Sequence, residues 1–275
     1  MTHFLVPTDF SPAACHALAV AVQLARPLGG HITLLHAVEL PPADDLSPDV
    51  FVMKLLQAAK HQLQLLLREA TPYATEATIQ ELLQVAPRRT ALLAALTQQR
   101  PDMVVIGSAA IPATSRSTTE WLVRTAPCPV LVVHQSLSGS SVRTVVFATD
   151  FSVLALRAGP VLRWLQTLFP AAVLHVLHVG AVGQPAETLL TQLTLLVQQQ
   201  GLAGSELAIV TAASLRVGIA QFAQQVRADM VVLRVGAAGL GWLWPTNEAS
   251  AQALPALPPV LTFRLAAEIG AEDKG

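Results

Sequence analysis

Cysteine is scarce in this chain: Cys15 and Cys128 are the only two in 275 residues, far apart and in no metal-binding spacing. That excludes a disulfide framework, and a reduced, cytoplasmic setting is expected. Charge is scarce too. Charged residues make up 13% of the chain, with a formal net charge of −1. A nucleic-acid groove or an acidic-membrane surface needs a clustered excess of Lys and Arg, so neither partner is expected. Long apolar runs are also missing, although the mean hydropathy is +0.51. Val104–Ile106 meets Gly107 and Pro112, and Val130–Val133 follows Pro127 and Pro129. Both interruptions fall within the roughly 20 residues that a membrane helix requires. The opening Met1-Thr-His-Phe-Leu-Val-Pro-Thr-Asp9 lacks the basic and long apolar regions of a signal peptide.

What the chain has is apolar residues, 52% of the total. A substantial core is therefore available, and strands buried on both faces of a parallel sheet account for the hydropathy. The length suits two ordinary domains or one large one.

An internal repeat decides between them. Phe4-Leu-Val-Pro-Thr-Asp-Phe-Ser11 matches Val145-Val-Phe-Ala-Thr-Asp-Phe-Ser152, with Asp9 and Asp150 separated by 141 positions. Leu35-His36-Ala-Val38 answers Leu177-His178-Val-Gly180. Pro101-Asp-Met-Val-Val-Ile106 is echoed by Ala228-Asp-Met-Val-Val-Leu233, and Pro127-Cys-Pro-Val-Leu-Val-Val133 by Leu257-Pro-Pro-Val-Leu-Thr-Phe263. Four matched blocks in one order indicate duplication. Gln135–Ser141 is small, polar and linker-like, which sets expected domains at 1–136 and 142–270.

Each copy reads as alternating strands and helices. In the first, strands are expected at Phe4–Pro7, Ile32–Val38, Thr78–Leu83, Met103–Ile106 and Val130–Val133. The first helix opens on Ser11-Pro12, an N-cap followed by proline, and is stopped by Gly29-Gly30. Further helices are expected near Pro48–Ala70, Arg88–Gln99 and Glu120–Thr125, and near Pro185–Gln200 in the second copy. The pattern predicts an α/β fold: two tandem, doubly wound, five-stranded parallel-sheet domains of Rossmann-like type. Ligands of such sheets occupy the crevice beyond the strand C-termini, where strand order reverses. Pro7, Thr8 and Asp9, Ala37, and the loop opening at Gly107 fall there in copy one. A carboxylate after the first strand can accept hydrogen bonds from ribose or adenine, and a glycine-rich loop can cradle phosphate.

Val-Pro-Thr-Asp-Phe-Ser, Leu-Leu-His-Ala-Val, Asp-Met-Val-Val-Ile-Gly-Ser and Ala-Pro-Cys-Pro-Val-Leu-Val-Val together resemble the universal stress protein family. The resemblance implies a five-stranded parallel sheet with helices on both sides, dimerisation through the last strand in many members, and ATP binding in one branch. That branch carries a glycine signature after strand four: Gly, two residues, Gly, nine residues, then Gly-Ser or Gly-Thr. Here the first glycine is Gly107, but Ala110 and Arg116 take the later places, and the loop is about four residues short before Ser117 and Thr118. Losing two charge-assisted bonds at about 1.5–3 kcal/mol each lowers affinity on the order of 100-fold or more. Arg116 offsets part of this if it contacts phosphate. In copy two, Arg234 replaces the first glycine, Gly236-Ala-Ala-Gly239 comes two residues late, and Trp242 and Trp244 crowd the loop.

Each candidate has a plainer reading. Asp9 and Asp150 sit two residues before a helix-starting serine, where a carboxylate caps the turn. His36 and His178 read as ordinary strand-end histidines. His175 and His178 lie three apart on a strand and face opposite ways, so no metal pair is expected. No catalytic constellation emerges. The expectation is a non-catalytic stress-response scaffold or sensor with degenerate nucleotide sites, associating through Val130–Val133 and Val260–Phe263 within one chain or between two. The alternative is an ATP- or AMP-binding protein, chiefly through Pro7, Thr8, Asp9, Ala37, Gly107, Ala110, Arg116, Ser117 and Thr118, with Asp150 as the second-copy counterpart and slow ATPase activity as an option. A third is a small apolar ligand near Trp242 and Trp244.

Overall fold

The computed structural model describes residues 2–40, 49–108, 118–134, 142–151, 158–180, 185–235 and 257–264. The chain forms two compact units, one of Met1–Ala109 with Val130–Ser136, the other of Ala110–Pro129 with Leu137–Gly275.

In the first unit, β1 (His3–Pro7), β2 (His31–Val38), β3 (Thr78–Val85), β4 (Met103–Gly107) and β5 (Val130–Val133) form a parallel sheet in the order β3-β2-β1-β4-β5. Strand order reverses between β1 and β4, as in a doubly wound fold. Phe4, Leu5, Val6, Val104 and Val105 are fully buried, so the middle strands are apolar on both faces. Helices α1 (Pro12–Ala25), α2 (Asp49–Ala70) and α3 (Arg88–Gln99) connect the strands. Ser11 caps α1 by accepting from the Ala14 N–H, and Pro12 occupies its first turn. The helix ends at Ala25, a 3-10 turn follows at Arg26–Leu28, and Gly29 closes it in the left-handed region.

The second unit repeats the plan with β6 (Thr144–Thr149), β7 (Val173–Gly180), β8 (Glu206–Thr211), β9 (Met230–Arg234) and β10 (Val260–Phe263), ordered β10-β9-β6-β7-β8. The register is duplicated: Phe4 stands opposite Met103 as Val145 stands opposite Met230. Even the strand entry is copied. Asp102 Oδ2 accepts from the His3 N–H, and Asp229 Oδ2 accepts from the Arg143 and Thr144 N–H groups, at 2.8, 2.8 and 3.0 Å respectively.

Its helices are α5 (Gly159–Leu168), α6 (Ala186–Gln200) and α7 (Leu215–Gln225). The second unit also contains α4 (Thr118–Thr125), which the sequence reading assigned to residues 1–136. Thr119, Leu122 and Val123 are buried, and the Arg264 guanidinium donates to the Arg124 carbonyl. No described helix is long and apolar enough to cross a membrane.

A pH response follows from the start of β1. His3 and His31 lie ring to ring at 5.0 Å, with His3 Nε2 at 2.9 Å from Thr33 Oγ1. Burial and the neighbouring His31 lower the His3 pKa, outweighing the Gln99 carbonyl and Asp102, which raise it. The unfolded chain then binds more protons than the native one between the lowered value and about 6.5. Native stability should fall as pH drops through that window and be flat in this respect above it. Melting curves at successive pH values check this, and the His3→Gln variant should show a shallower decline than the parent.

Candidate functional site

The strand C-termini of the first unit gather Pro7, Thr8, Asp9, Ala37 and Gly107. Pro7 stands opposite Leu35, and the Thr8 N–H donates to the Leu35 carbonyl at 2.8 Å. Thr8 is buried and its groups serve the turn: its hydroxyl oxygen accepts from the Phe10 N–H at 3.1 Å, and its carbonyl lies 2.8 Å from His36 Nδ1. Phe10 holds a φ of 64°, a costly conformation for a bulky residue, and its ring lies 4.3 Å from the His36 ring. A sharp, pinned turn thus ends β1, and its next side chain is Asp9.

Asp9 is exposed, and its Oδ1 accepts from the Ser11 N–H at 3.1 Å. Partial burial opposes ionisation, but the Ser11 hydroxyl and N–H, with Arg88 nearby, outweigh it and hold the carboxyl below its usual value. The local-capping role and an ionised acceptor at the crevice are therefore both present. Glu39, just beyond β2, accepts from the Arg88 N–H at 2.7 Å and satisfies the start of α3. The rim carries carboxylates at positions 9 and 39 and a cation at 88, a set suited to hydroxyl and amino groups of a polar ligand.

Gly107 has a packing role that the phosphate-loop reading did not foresee. A Cβ there would lie 2.1 Å from the Ala13 carbonyl oxygen and 2.6 Å from the Ala14 nitrogen. Only glycine lets β4 pass this close to the first turn of α1. Beyond it, Ser108 is buried, its N–H donates to the Val133 carbonyl at 2.9 Å, and its carbonyl lies 3.0 Å from His134 Nδ1. Ala110, Arg116 and Ser117 lie outside the described residues, as do Gly236, Gly239, Trp242 and Trp244. Thr118 opens α4 and belongs to the second unit, whereas Asp9, Ala37 and Gly107 belong to the first.

The second unit keeps the turn and changes its surroundings. Thr149 is buried, accepts from the Phe151 N–H at 3.3 Å, and places its carbonyl 3.0 Å from His178 Nδ1. Phe151 has a φ of 57° and lies 4.2 Å from the His178 ring. At the position of Gly107, however, stands Arg234, whose Nη2 lies 3.5 Å from Asp150 Oδ2. Asp150 remains 59% exposed while the Arg234 side chain is 13% exposed. His175, which sequence spacing separated from His178, is buried, with Nδ1 3.3 Å from Glu206. Among the described residues, no cluster of three or more His, Cys, Asp or Glu could hold a metal ion.

Missed in the sequence were Glu39, Arg88 and the work of His36 and His178. The duplicated Leu-His was a visible signal for the histidines; the bond joining Glu39 to Arg88 spans 49 residues and left none.

A doubly wound parallel sheet with an acidic turn at its reversal point defines a Rossmann-like α/β domain, present here twice. Residues 1–134 match the family model described as the universal stress protein family. The fold of the whole chain is that of solved structures. A universal stress protein from Archaeoglobus fulgidus DSM 4304 is 18% identical with a TM-score of 0.71, over 95% of this chain and 96% of that one. A protein of unknown function from Pseudomonas aeruginosa PAO1 is 20% identical with a TM-score of 0.58, over 98% and 94%. No curated protein matches the sequence.

Proposed function

We propose that this is a cytoplasmic stress-response protein that works by sensing and association rather than by catalysis, and that only its first unit takes an adenine nucleotide, ATP or AMP. One observation carries the reading. At equivalent sheet positions, the first unit has Gly107 beside an exposed, ionised Asp9, whereas the second has Arg234 against Asp150. The first crevice offers an acceptor to a ligand, and in the second an internal cation already meets it. The test is thermal melting with millimolar ATP or AMP: the nucleotide should raise the melting temperature, and Asp9→Ala should remove the rise. An unchanged melting temperature in the parent chain would refute nucleotide sensing.

Association is read from the last strands. β5 and β10 each end their unit's strand order, and all four residues of each are buried. We assign them the role of pairing edges, in one chain or between two copies. Light scattering reports the copy number that results.

A further inference from the structure

We propose that Arg234 is a built-in occupant of the second crevice, converting Asp150 from a ligand acceptor into half of a structural ion pair. The inference rests on the proposed nucleotide reading for what the crevice once accepted, but the pair itself is testable without any ligand.

Three observations support it. First, the register places Arg234 where Gly107 stands: β9 runs beside β6 as β4 runs beside β1, with Met230 opposite Val145 and Met103 opposite Phe4. Second, the turn presenting the carboxylate is preserved, down to the positive φ of Phe151 and the His178 contact with Thr149. Decay of the whole site would not keep a strained turn. Third, the guanidinium is well buried and approaches the carboxylate at 3.5 Å, so it competes directly with any donor brought by a ligand.

An intramolecular guanidinium needs no association entropy, so a ligand must displace it before using Asp150. A guanidinium also suits a carboxylate better than most donors do. The result is a chain with duplicated architecture and one receptive crevice.

Two measurements test this. The first is a ligand-free double-mutant cycle of Asp150→Asn and Arg234→Met, read by thermal melting. Asp150→Asn should lower the melting temperature by about 1–3 °C in the parent, and by clearly less when Arg234→Met is already present. Additive effects would overturn the pair. The second uses a fluorescent ATP analogue in the Asp9→Ala chain, where the first crevice is silenced. Adding Arg234→Gly should tighten binding at least tenfold, and adding Asp150→Ala should erase the gain. If the folded Arg234→Gly chain binds no better, the occupancy claim fails. Failure of the parent chain to bind any nucleotide would instead sink the proposed function, leaving the cycle to decide the pair.

Discussion

Replacing Gly107 by valine is expected to cost the fold about 3 kcal/mol or more, an expected drop of roughly 6–12 °C in melting temperature. A Cβ at this position would stand 2.1 and 2.2 Å from the carbonyl oxygen and carbon of Ala13, and 2.6 Å from the Ala14 nitrogen. These are backbone atoms at the first turn of a helix, so no rotamer change relieves the contact. The helix must move, and moving it disturbs the Ser11 cap, a bond worth about 1 kcal/mol, and the buried face of Ala14, Ala17, Leu18 and Ala21. Alanine meets the same atoms and should cost less than valine without being neutral. Circular dichroism melts of Gly107→Ala and Gly107→Val check the order. A valine variant as stable as the parent would mean that α1 and β4 do not approach as described. The shift should also blunt any ligand response, because the displaced turn carries Asp9.

The second large effect is on binding. Asp9→Ala should weaken nucleotide affinity on the order of 10- to 100-fold, the loss of one hydrogen bond to a charged acceptor worth about 1.5–3 kcal/mol. The fold should suffer far less: the carboxylate is exposed, and its bond to the Ser11 N–H contributes about 0.5–1.5 kcal/mol. Asp9→Asn separates the two roles. It keeps an oxygen for the turn while removing the charge, so its melting temperature should stay near that of the parent as affinity drops. Calorimetric titration of the three chains measures this. Equal affinities in parent and alanine variant would remove Asp9 from the site.

How far the sequence discloses this molecule differs between scaffold and site. The repeat, the alternation of strands and helices, and elements such as Arg88–Gln99 and Val130–Val133 are readable because apolar residues recur at helical spacing in the one and burial on both faces leaves a continuous apolar run in the other. The placement of α4 was not readable: the contact from Arg264 to Arg124 spans 140 residues. Gly107 was read as the first glycine of a phosphate loop, and its packing role was not legible. Its neighbour in space is Ala13, and a lone glycine after a strand looks the same whether a phosphate or a helix approaches it. The contrast between Asp9 and Asp150 was likewise hidden, since identical Thr-Asp-Phe-Ser motifs surround both and the difference comes from Arg234, 84 positions away.

The central claim is that duplication preserved two folds and one receptive crevice, and counting ligands per chain tests it most directly. Calorimetric titration of the parent chain with ATP should saturate at one nucleotide per chain, with the count unchanged by Asp150→Ala. Saturation at two per chain, or a count that Asp150→Ala lowers, would contradict the account.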